Sequence, residues 1–111
     1  MSEIEDDGPP AWDEDLAAYA PGKYVLIGIT YLDEQGGVLR LDQMHGVIES
    51  ADPGLGFAVR LEGARAGEVH RLPPDPRAFQ PAPPGEYRMR ESGEVVTDPD
   101  LISTWTLYGP E

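Results

Sequence analysis

A chain of 111 residues is the length of one domain and can remove roughly 60 to 70% of its unfolded surface from water, so a single core is expected. Its 40% apolar and 26% charged content excludes wholesale disorder, and the lack of cysteine excludes disulfides, thiolate catalysis and thiol-ligated zinc. A formal charge of −13 argues against a nucleic-acid partner, because an acidic surface repels phosphate and offers no counterion release.

That charge is unevenly placed. Residues 1–15 carry seven acids and no base, and residues 91–111 carry five acids and no base, which leaves the stretch between them almost neutral. Acidic ends of this kind match a basic protein surface. The opening MSEIEDDGPP reads as a flexible tail, residues 1–11, ahead of a single domain over residues 12–111. Met1 leads into acidic residues and not into a signal-peptide pattern, and no apolar run reaches the roughly 18 residues needed to cross a bilayer. A soluble, cytoplasmic protein with no membrane contact is expected.

Taken in chain order, AWDEDLAAYAPG predicts a short helix: Asp13 is placed to cap it, Trp12, Leu16 and Tyr19 fall near one face, and Pro21-Gly22 stops it. Two turns need something to dock on, and Trp12 is the natural anchor. From Tyr24 the apolar run YVLIGITYL, rich in β-branched and aromatic residues, predicts a strand covered on both faces. VLRLDQMHGVIES predicts a long strand with a bulge or corner at Gly46. FAVRLEG alternates, with Phe57, Val59 and Leu61 inward and Ala58, Arg60 and Glu62 outward. EVHRL and EYRMR predict two short strands, and STWTLY ends the fold with Trp105 and Leu107 inward. Five to six short antiparallel strands predict an all-β fold, a small partly open barrel in which the long strand bends between sheets. Src homology 3-like and Sm-like barrels share that plan.

Between the fourth and fifth strands lies LPPDPRAFQPAPPGEYR, with six of the twelve prolines. Proline-rich ligands need a basic or tyrosine flank at fixed spacing. Here Arg77 directly follows Pro76, and Tyr87 falls one residue too far from Pro83-Pro84. The spacing favours a strap laid across the open end of the barrel, since proline has no N–H that must find a ladder partner. Phe79, in its middle, is expected to plug that end.

The blocks PGKYVLIGITYLDEQGG, QMHGVIES and PAPPGEYRMRESGEVVTDPDLISTWT resemble those of a group of small bacterial proteins of uncharacterised function, over residues 21–107. The resemblance implies a stand-alone Src homology 3-like barrel and brings no catalytic residue with it.

Chemistry-bearing residues are sparse. His45 and His70 are the only histidines, and with Asp42 they make a candidate ligand site. Their spacing lacks the local pattern that holds a metal, so neither metal nor cofactor is expected. No serine sits in a nucleophile motif, and the glycine pair of DPGLGF precedes no helix that could hold a phosphate. Seven arginines stand against one lysine, and Arg40, Arg60, Arg71, Arg88 and Arg90 fall on outward positions, either as an interaction surface or as cross-strand partners of Glu49, Glu62 and Glu68. Trp12, Gly46, Phe79 and Trp105 are expected to be structural. No catalytic residue is assigned.

The reading that follows is a non-enzymatic protein–protein interaction module, monomeric or weakly homodimeric, with an unidentified protein as partner, for which a basic surface is the electrostatic match. Two alternatives are an acidic inhibitor or immunity-type protein, and a small ligand- or metal-binding barrel or enzyme.

Overall fold

The computed structural model describes residues 11–108, so the expected tail lies outside the described residues apart from Ala11. One helix, α1 (Glu14–Tyr19), precedes eight strands: β1 (Tyr24–Leu32), β2 (Val38–Asp52), β3 (Gly56–Leu61), β4 (Val69–Leu72), β5 (Phe79–Pro81), β6 (Glu86–Arg88), β7 (Val95–Thr97) and β8 (Leu101–Tyr108). Strands β1 to β4 pair antiparallel in sequence, β8 lies parallel to β1, and β5 is antiparallel to β8. The result is a six-stranded sheet in the order β4-β3-β2-β1-β8-β5, with β6 and β7 as a separate hairpin.

The fold is all-β, but three details differ from the sequence expectation. Among the described residues there are eight strands and not five or six, because β5 and β7, three residues each, are too short to show a period of two. One pair is parallel, since the long excursion between β4 and β8 carries the chain to the free side of β1. The sheet is not closed, and β4 and β5 remain as its edges.

It does curl. Phe57 on β3 and Phe79 on β5 are four places apart in the sheet order, yet their ring centroids are 4.3 Å apart. Trp12 stacks on Phe57 from the helix side at 5.4 Å, and Trp105 meets Phe79 edge-on at 6.4 Å. Around this aromatic line, Val25, Ile27, Ile29, Met44, Ile48, Val59, Leu61, Leu72 and Leu101 form the main core. The proline segment therefore packs across the curled sheet through Phe79. It also adds a short ladder to β8 as an edge strand, a place that tolerates Pro81.

A second, smaller cluster of Leu26, Met89 and Val96, flanked by Tyr24, Tyr87 and Ile102, forms where the β6–β7 hairpin covers the opposite face of the sheet. This is why the first half of β1 is apolar on both faces. Helix α1 starts as its sequence predicts, with the Asp13 side chain accepting from the Leu16 amide, and Trp12 and Leu16 pack on the core. Tyr19 does not join them. It is exposed, with Lys23 Nζ 4.7 Å from its ring centroid.

At Gly46 the strand neither bulges nor turns; the irregularity in the β2–β3 pairing falls between Ile48 and Ser50. Gly46 is glycine for another reason. A Cβ there would run into the backbone carbonyl of Arg60. Ala58, expected on the outer face of β3, is buried like its neighbours Phe57 and Val59.

Candidate functional site

Alternation along paired strands decides which side chains can meet. Tyr24 and Leu26 on β1 share a face with their β2 partners Val47 and His45, and the β6–β7 hairpin lies over that face. There His45 is 7% exposed and is held at both ring nitrogens. The Tyr24 hydroxyl lies 2.7 Å from Nδ1, and Glu94 Oε1, on the hairpin turn, lies 2.9 Å from Nε2. A carboxylate can only accept, so Nε2 carries a hydrogen. With a neutral imidazole the Tyr24 hydroxyl then donates to Nδ1, and both ring nitrogens are satisfied.

Electrostatics set what this chain can do. The hydrogen bond from His45 holds the Glu94 carboxyl below its ordinary range, with help from the Ala64 amide and Ser92. Burial, then the negative charges of Glu62 and Glu94, pushes the Tyr24 phenol above its ordinary value. A phenol kept protonated is a hydrogen-bond donor and a poor nucleophile. The arrangement fastens the hairpin to the sheet. Gly63 makes room for it, because a Cβ at that position would meet the Glu94 carboxylate and the His45 ring.

His70 is elsewhere. It pairs with Val59 on β3, which pairs with Ile48 on β2, and this places it on the opposite face of the sheet from His45. The two histidines therefore do not share a site. His70 lines a groove of about 260 Å³ on the concave face with Tyr31, Arg71, Trp105 and Leu107. Burial, then Arg65, lowers its affinity for a proton, against the opposing pull of Asp42 and Glu68. Asp42 shares the His70 face by alternation, yet it sits at the free side of β2 and also lines a cleft of about 220 Å³ with Glu62, Arg65, Glu91 and Glu94. Among the described residues no group of three or more histidine and acidic side chains is arranged to hold a metal ion.

The five arginines form no single row. Arg60 pairs with Glu49 at 2.9 Å, Arg71 donates to the Leu55 carbonyl, and Arg88 donates to the Gly93 carbonyl. Arg40 stacks over Tyr31 at 4.2 Å, on the face opposite Arg60. Arg90 joins the hairpin to the sheet through its backbone, whose amide donates to Gln43 Oε1. Trp105 donates to Ser103 Oγ at 2.8 Å, consistent with a structural role.

Sequence reasoning missed an edge. Strand β3 ends at Leu61, while β2 reaches back to Val38 beside β1 alone. The Glu62 amide donates to the His45 carbonyl, so the backbone groups of His45 face the β3 side. By alternation those of Gln43 and Leu41 face the same side, where no strand lies among the described residues; at Leu39 the β1–β2 register shifts and the alternation ends. The unequal lengths of the two predicted strands were the signal for this overhang.

Compared with known proteins, the chain matches no family model, no curated protein and no solved structure. Among the described residues no helix is long and apolar enough to cross a membrane.

Proposed function

We propose that this chain is a non-enzymatic interaction module that docks a protein partner through the end of its sheet farthest from the β6–β7 hairpin. One observation carries this reading. At that end Val38, Leu39, Leu107 and Tyr108 are 67, 49, 42 and 75% exposed. Val38 on β2 and Tyr108 on β8 both pair with Leu32 of β1, so the four exposed residues gather at one end of the sheet. Clustered exposed apolar residues beside unpaired strand edges mark a surface made for another chain.

The protonated Tyr24 phenol in the buried hydrogen-bonded chain supports a binding role over a catalytic one. The curled sheet with its long β2 fits a Src homology 3-like or Sm-like plan, and the barrel type, like the cytoplasmic location, is part of the proposal. The test places a photo-crosslinking amino acid at Val38, at Tyr108 and, as a control, at Glu86 on the hairpin, in cells that make the protein. One discrete adduct from Val38 and Tyr108 and none from Glu86 is expected. Adducts from Glu86 alone, or from no position, would overturn the docking role.

A further inference from the structure

We infer that the bare edge of β2, from Leu39 to Gln43, receives an extended basic segment of the partner as an added strand, an inference that rests on the docking role above. The backbone groups of Leu41 and Gln43 offer donors and acceptors with no partner among the described residues, and the β2 backbone runs on past them with no strand beside it. Such an edge is a template for strand addition, in which main-chain hydrogen bonds bring affinity and alternate side chains bring selectivity.

The two outermost strands of the sheet are blunted, and the part of β8 beyond its pairing with β5 contributes no residue to the acidic cleft lined by Asp42 and Glu62. Strand β4 is four residues long, and β5 is three residues long and ends in Pro81. The exposed part of β2 has neither defence, and its sequence, Val38-Leu39-Arg40-Leu41-Asp42-Gln43, contains no proline or lysine.

Charge names the occupant. At the foot of this edge, where β3 would have continued, lies the cleft lined by Asp42, Glu62, Glu91 and Glu94. Its one cation, Arg65, is already held by Glu68 at 3.0 Å. Among the described residues Asp42 and Glu91 have no ion pair, so their charge is unspent. A strand laid along Leu39–Gln43 runs into this cleft, and a lysine or arginine on it meets the carboxylates that line it. A second copy of the chain brings the opposite result. It carries the same charge of −13 to the same acidic cleft.

The test uses a capped peptide of alternating lysine and valine, titrated into the full-length, isotope-labelled protein and followed by nuclear magnetic resonance. The amides of Leu41 and Gln43 are expected to shift and to gain protection from hydrogen exchange, while those of Arg40 and Asp42, already turned toward β1, change little. The same peptide with N-methyl groups on alternate residues keeps its charge but loses its ladder, and its Kd is expected to rise at least about tenfold. Glu91→Lys, on an exposed side chain, is expected to weaken the unmodified peptide about threefold or more at low salt. A peptide alternating glutamate and valine is expected not to bind.

Equal binding of the N-methylated peptide would overturn the inference, since attraction would then be purely electrostatic. So would shifts confined to β8, protection of Leu39–Gln43 that grows with protein concentration and no peptide, or no shift at about 1 mM peptide. The two proposals fail separately. A crosslink from Val38 without peptide binding sinks strand addition and leaves the docking role standing.

Discussion

Phe57 and Phe79 meet at 4.3 Å from strands that are nowhere adjacent in the sheet, and this contact is where the curl of the sheet is secured. Phe57 is fully buried, whereas Phe79 is half-buried and reaches it from the proline segment. Phe79→Ala is therefore expected to cost about 2 to 4 kcal/mol, toward or below the low end for a core phenylalanine. Urea titration reads the loss. A change under about 0.5 kcal/mol would mean that the segment does not hold the curl.

Two glycines on neighbouring strands predict opposite outcomes for one substitution. A Cβ at Gly46 strikes the Arg60 carbonyl, a backbone atom that cannot move without breaking the β2–β3 ladder. At Gly28 nothing lies within 4 Å. Gly28→Ala is expected to stabilise by about 0.5 to 1 kcal/mol, because alanine loses less backbone freedom in a strand. Gly46→Ala is expected to destabilise by at least about 2 kcal/mol. Thermal unfolding of the pair decides; similar melting temperatures would refute the close approach.

Stability should fall in two stages as the solution is acidified. The imidazole of His70 binds a proton less readily folded than unfolded, so stability declines once pH passes below the ordinary imidazole value of 6.5. The Glu94 carboxyl is likewise depressed, and its contribution is intact above the ordinary carboxyl value of 4.5 and lost as pH falls through the folded value. His70→Gln is expected to flatten the first stage alone, and Glu94→Gln to reduce the second without removing it, because the Asp52 and Asp75 carboxyls are depressed as well, in urea titrations at stepped pH. A first stage that persists in His70→Gln would place the responsible group elsewhere.

The arginines divide by what they touch. Arg60 and Glu49 are both substantially exposed, so a double-mutant cycle between them is expected to give at most about 0.5 to 1 kcal/mol, diminishing with salt. Arg88→Ala with Arg90→Ala is expected to leave the fold intact, since the Arg90 contact to Gln43 runs through the backbone amide. Loss of the hairpin's exchange protection in that double variant would show that the side chains carry it.

Local pattern alone determined much of this protein. The apolar run from Tyr24 to Leu32 forms β1 at the expected residues, Asp13 caps the helix, and Phe57, Val59 and Leu61 point inward, because each outcome depends on a residue and its near neighbours. What tertiary structure decided depends on register between distant segments. The parallel docking of β8 on β1 cannot be read from either strand, since a strand's own residues do not specify which free edge it will find. The Tyr24–His45–Glu94 chain joins residues from β1, β2 and a hairpin turn that carry no shared motif. A one-residue change in parity puts His45 and His70 on opposite faces. The open edge of β2 arises the same way, from β3 turning off at Leu61 while its neighbour continues, a difference in length that has consequences only once the two strands are paired.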